Sequence, residues 1–141
     1  MEYSYFEVRL NRERAAQKSL AEHVHKGLGA QAVGVFSPLL GFASNQALVL
    51  TDAKASPESV LRGPSVVSVE RHSLTATIRP QDGARPAARG IYVHNWFTVD
   101  ATGFDEFVAL SGEAWPDFEA RFETKIFGRL SAWQNWIFNR P

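Results

Sequence analysis

The chain has 141 residues, no cysteine, and basic and acidic side chains in equal number, 15 and 15. Disulfides, thiolate metal sites and a cysteine nucleophile are thereby excluded, and a neutral balance speaks against nucleic acid or an anionic membrane as the main partner, since both reward a positive excess. No apolar run nears the ~20 residues of a membrane span, and Met1-Glu2-Tyr3 lacks the basic start of a signal peptide, so a cytoplasmic protein is expected.

The first element is an alternating strand, Ser4 to Leu10, with Phe6, Val8 and Leu10 on one face and Tyr5, Glu7 and Arg9 on the other. A helical pattern follows from Arg12 to Lys26, with Asn11 as its expected N-cap and Ala16, Leu20, Val24 and Leu28 as its apolar stripe. Gly27 and Gly29 mark its end. Ala32 to Ser37 and Ala47 to Thr51 read as strands. Between Ser56 and Leu61 a brief helix is expected, with Pro57 at its first position. A long strand from Val66 to Ile78 changes apolar phase, which predicts a bulge near Glu70–Ser73. The first 80 residues thus read β-α-β-β-(short α)-β. Residues 81–89, with Asp82-Gly83 and Pro86, read as a linker.

From residue 90 the pattern begins again. Gly90 to Phe97 is a predicted strand, with Tyr92, His94 and Trp96 on one face and Val93, Asn95, Phe97 on the other. Thr102-Gly103-Phe104-Asp105 resembles a capping box, and Phe104, Phe107, Val108, Ser111 and Trp115 recur at helical spacing. Pro116 is expected to kink or restart that helix. Lys125 to Leu130 mirrors the strand at Ala32–Ser37. A strand–helix unit stated twice implies two similar half-domains, 1–80 and 90–141, the second lacking its last strands. Trp133 and Trp136 are expected to dock rather than hang free. Asp100, Asp105, Glu106, Glu113, Asp117, Glu119 and Glu123, against Arg121 alone, make the second helix acidic.

Ile91–Leu110, with its tyrosine-bearing strand and its Phe-Asp-Glu-Phe helix start, resembles the NIPSNAP family. Glu113–Glu119 looks like the end of a helix in that family, and Leu74–Pro80 looks like the strand that closes a first repeat in related bacterial proteins. The resemblance implies an α+β, ferredoxin-like fold of the dimeric α/β-barrel kind, with two sheets facing each other around a cavity. It implies no cofactor and no single chemistry, because such a fold hosts many activities. Val93 and Asn95 stand where the first repeat has Glu7 and Arg9, a departure from the pattern.

If the second face of the first strand lines that cavity, Tyr5, Glu7 and Arg9 can orient a ligand, with Asn95 and Phe97 from the second half. His72, at the expected bulge, would sit at the rim. His23 and His25 lie about 200° apart on one helix and cannot share a metal; both read as surface residues. His94 reads as a buried, hydrogen-bonded histidine, and no metal site is expected. The leading expectation is a homo-oligomer, joined through its sheets or its C-terminal aromatics, that binds a small apolar or aromatic molecule or acts as an interaction protein. One alternative is a cofactor-independent monooxygenase-like enzyme, with Asn95 at the substrate and His72 relaying a proton. The other is a structural subunit.

Overall fold

A computed structural model describes residues 1–63, 65–88 and 90–131. Nine residues of alternating character at Glu2–Leu10 form β1, which is followed by α1 (Ala16–Leu28), β2 (Ala32–Phe36) and β3 (Gln46–Asp52). A 3-10 turn at Val60–Arg62 leads to β4 (Val66–Ala76), and α2 (Phe104–Arg121) precedes a two-residue β5 (Leu130–Ser131). The sheet order is β2-β3-β1-β4-β5. β1 is central, antiparallel to both β3 and β4, and β2 is antiparallel to β3. The protein is mixed α/β, in agreement with the expected α+β class. No helix among the described residues is long and apolar enough to cross a membrane.

The chain falls into two compact units, one made of Met1–Thr75 with Ser131 and the other of Ala76–Leu130. In the first, period-two and period-3.6 patterns meet. Phe6, Val8 and Leu10 of β1 lie against Ala47 and Val49 of β3, and the α1 stripe Ala16, Leu20, Val24 and Leu28 closes over them with Val60 and Leu61. Val8, Val24, Ala47 and Val49 are wholly buried. Each large aliphatic side chain so removed from water contributes about 1.5–3 kcal/mol, which outweighs the modest helix propensity of the stripe's neighbours.

Three expectations about this unit need correction. The helix starts at Ala16 and not at Arg12. Asn11 is not its cap, because the N-cap position falls at Ala15; the Asn11 N–H donates to the Ser65 carbonyl (2.8 Å) as an extension of the β1–β4 edge. Its Oδ1 instead accepts from the Glu13 N–H at 3.3 Å, and the chain enters the helix through Ala15 in the left-handed region, φ 65. The bulge in β4 falls at Val67 and not at Glu70–Ser73: Arg9 pairs with Ser68 and Leu10 with Val66, which leaves Val67 as the extra residue. From Ser68 to Thr75 the register with β1 is unbroken.

The second unit departs further from its reading. Residues 90–100, expected to open with a strand, carry no ladder pairing. The capping box makes no side-chain cap bond, although Asp105 and Glu106 do occupy the first turn of α2. Pro116 neither ends nor restarts the helix, which continues to Arg121. The extra turn is offset by what it positions. The Glu119 carboxylate accepts from the Arg79 guanidinium (2.8 Å) and from the Ile126 N–H (2.8 Å). Of the strand expected at Lys125–Leu130, only Leu130 is in β5. The expected docking of Trp133 and Trp136 lies outside the described residues.

Arginines on aromatic rings take the place of an aliphatic core here. Arg79 lies over Trp115, 5.3 Å from the ring centroid. Arg129 lies over Phe107 at 3.8 Å, donates to the Phe107 carbonyl at 3.0 Å, and also bonds the Ser111 hydroxyl. Phe97 packs edge-on against Phe107, centroids 5.7 Å apart.

Candidate functional site

The register of the sheet decides which side chains can meet. Tyr5 of β1 stands opposite His72 of β4 and Leu50 of β3, and Glu7 stands opposite Glu70 and Leu48. Cross-strand partners share a face. Tyr3, Tyr5, Glu7 and Arg9 therefore share with Leu48, Leu50, Glu70, His72 and Leu74 the face turned away from α1. Tyr3 (1% exposed), Tyr5 (5%), Leu48, Leu50 and Leu74 are all buried on it.

Within this apolar layer sits one polar cluster. The His72 Nε2 is 3.7 Å from the Glu7 Oε1 and 3.6 Å from the Glu70 Oε1. The His72 ring lies 6.2 Å from the Tyr5 ring, tilted by 50°. His72 and Glu7 are mostly shielded from solvent, whereas Glu70 is exposed. Burial, reinforced by the Glu7 charge, pushes the Tyr5 phenol well above its ordinary range, so it stays a neutral donor. An imidazole between two carboxylates can take up or pass on a proton, and the phenol beside it can orient a polar group on a bound molecule. Among the described residues, no group of His, Asp or Glu is arranged to hold a metal.

The sheet thus brings together three of the six residues named from the sequence: Tyr5, Glu7 and His72. Arg9 shares their face but is exposed, and Glu7 meets His72 and not Arg9. His72 is in a regular stretch of β4, so its place comes from register and not from a bulge. Asn95 and Phe97 belong to the other unit, where both are exposed. Glu70 was missed by sequence reasoning. Its signal was available, since two residues before His72 on a regular strand is the same face. His23 and His25 are exposed as expected. His94 is half-buried, and burial pushes its pKa down, which favours the neutral imidazole.

Two cavities are described. One of about 410 Å³ opens where β1 hands over to α1 and is lined by Arg12, Gln17, Ser37 and Ser44 among others. The other, of about 350 Å³, lies at the start of β1 beside Ser4 and Arg71. Neither is lined by Tyr5, Glu7 or His72.

No model of a known protein family matches the chain. Over 55 residues it is 46% identical to the benzoyl-CoA-dihydrodiol lyase of Aromatoleum evansii, a match that takes in 33% of this chain and 10% of that protein. The chain thus spans about a tenth of the length of the curated relative it matches.

Proposed function

We propose that this is a NIPSNAP-like protein of the ferredoxin-like, dimeric α/β-barrel kind, whose interior takes a small apolar or aromatic ligand. The order β2-β3-β1-β4, with a helix joining β1 to β2, supports the ferredoxin-like reading of residues 1–80. The observation that carries the ligand reading is the second buried face of the sheet. Tyr3, Tyr5, Leu48, Leu50 and Leu74 surround the His72–Glu7 pair on the side that α1 does not cover. A layer of that composition, apolar with one polar anchor, suits a small molecule bearing a ring and one polar substituent. The stretch of 55 residues that is 46% identical to a benzoyl-CoA-dihydrodiol lyase makes a benzoyl-type probe the first to try.

The test is titration of the full chain with benzamide and with a neutral apolar dye, read by tryptophan fluorescence and thermal midpoint. Saturable binding is expected, weakened at least tenfold by Glu7→Leu and by His72→Leu. Absence of saturable binding for either probe, with no shift in midpoint, overturns the ligand reading.

A second reading, an interaction protein, is favoured by a separate observation. The Ala76–Leu130 unit leaves Ile91 (83% exposed), Val93, Trp96, Phe97, Leu110 and Phe122 in solvent, more large apolar side chains than a small monomeric unit ordinarily shows. On this reading the chain is a homo-oligomer. Light scattering at micromolar concentration is expected to give more than the mass of one chain, and a monomer at every concentration overturns it.

A further inference from the structure

The β2–β3 connection, residues 37–45, exposes two consecutive leucines, Leu39 at 75% and Leu40 at 87%. Folding gains nothing from them. The loop that carries them is nonetheless tied down at its base. Leu10 N–H donates to the Asn45 carbonyl (2.7 Å), and the Asn45 side-chain amide donates back to the Leu10 carbonyl (2.8 Å). The Gln17 amide, from the first turns of α1, donates to the Ser44 and Gln46 carbonyls, each at 2.8 Å. A tip of apolar residues is thus held on the end of β1 and the start of α1, where the chain runs Arg12-Glu13-Arg14.

Arg12 lines the same cleft as Ser37 and Ser44 of this loop, and Arg12 and Arg14 are both exposed. The one carboxylate between them, Glu13, accepts a hydrogen bond from the Ser65 hydroxyl at 3.2 Å. Lys18, which also lines the cleft, pairs with Glu22 at 3.9 Å. Glu13 lines the cleft with Arg12 and keeps its charge, so the root of this exposed apolar tip has two guanidinium groups against one carboxylate, a local positive excess that matches acyl chains under anionic headgroups. The neutral total charge of the chain does not oppose this, because the attraction is local and decays within a Debye length.

We infer that the loop carrying Leu39 and Leu40, with Arg12 and Arg14 at its base, is a docking point for an anionic lipid surface. The leucines enter the headgroup boundary while the arginines meet phosphate or carboxylate groups. The attachment is peripheral and reversible, since two leucines bury far less than a spanning helix.

The test is co-sedimentation of the full chain with vesicles of phosphatidylcholine alone and of phosphatidylcholine with about one-third phosphatidylserine. Stronger binding to the anionic vesicles, weakened by added salt, is expected. Leu39→Asp with Leu40→Asp should lower the partition coefficient at least about tenfold, and Arg12→Gln with Arg14→Gln about five- to twentyfold. Leu39→Ser with Leu40→Ser is a milder tip variant. All three double variants should keep the wild-type thermal midpoint, because the altered side chains are exposed. Absence of binding to either vesicle overturns the inference, as does binding that the tip variants leave unchanged. Tip-dependent self-association on gel filtration without vesicle binding overturns it too, and assigns the leucines to a protein contact instead.

Discussion

Met1–Thr75 and Ala76–Leu130 begin from similar sequence patterns, an alternating stretch and then an amphipathic helix, yet hold themselves together differently. The first has a long-range ladder on both sides of β1, with an aliphatic stripe of α1 closing the core. The second has Trp115 as its one buried large apolar side chain among the described residues, and relies on Arg79 and Arg129 laid over aromatic rings and bonded to carbonyls. Burial is non-directional and additive, whereas cation–π contacts and charge-assisted hydrogen bonds depend on a few geometries. The first unit should therefore lose stability in proportion to the apolar volume removed from its core, and the second in smaller steps set by individual contacts.

The largest effect should come from the aliphatic side. Phe6→Ala removes a buried ring from the centre of the first core and is expected to cost about 3–5 kcal/mol in urea unfolding. A loss under 1 kcal/mol would mean that this core is not what stabilises the unit. Next come the close approaches of the second unit. A methyl at Gly128 would lie 2.5 Å from the Pro80 Cδ and 2.6 Å from the Arg79 carbonyl oxygen, whereas one at Gly112 would meet the Ile78 Cδ1 at 2.5 Å. Backbone cannot yield as a side-chain tip can. Gly128→Ala should therefore destabilise by about 1–3 kcal/mol and Gly112→Ala by less, as thermal melts of the two variants would show. Equal losses would erase the distinction.

A smaller effect is expected for Arg129→Gln, about 1–2 kcal/mol, because it gives up the ring contact and part of the hydrogen bonding to α2. Hydrogen exchange should rise in α2 and stay unchanged in α1; a rise in both would join the two units into one cooperative block. The smallest effect is a pH dependence. The Arg79 hydrogen bond first, and the Ile126 N–H second, hold the Glu119 carboxyl below its ordinary 4.5. A lowered folded-state pKa gives stabilisation that is present above the ordinary carboxylate value and is lost as pH falls through the lowered one. The wild type should therefore lose thermal midpoint more steeply on acidification than Glu119→Gln. Parallel curves would remove Glu119 from the account.

Much of the first unit could be read from its sequence, because its rules are local. The alternation of β1 and the spacing Ala16, Leu20, Val24, Leu28 specify buried faces without knowledge of what covers them. The errors arose where a distant partner decides. Asn11 has the chemistry of a helix cap, but it extends the pairing with the Ser65 end of β4, and the helix begins only at Ala16. The phase change in β4 was visible, yet its position at Val67 follows from the pairing with Arg9 and Leu10. In the second unit, Gly90–Phe97 alternates as a strand should, but alternation cannot supply the neighbour that a ladder requires. The candidate site shows the same division. Alternation puts Tyr5 and Glu7 on one face, whereas only register places His72 and Glu70 across from them.

The left-handed Ala15 bears on how this protein can vary. A residue with a Cβ pays roughly 1–2 kcal/mol to hold that backbone shape, and glycine would adopt it without the penalty. Keeping alanine there leaves slack at the doorway of the main helix, a reserve that one codon change can release to absorb a harmful substitution elsewhere.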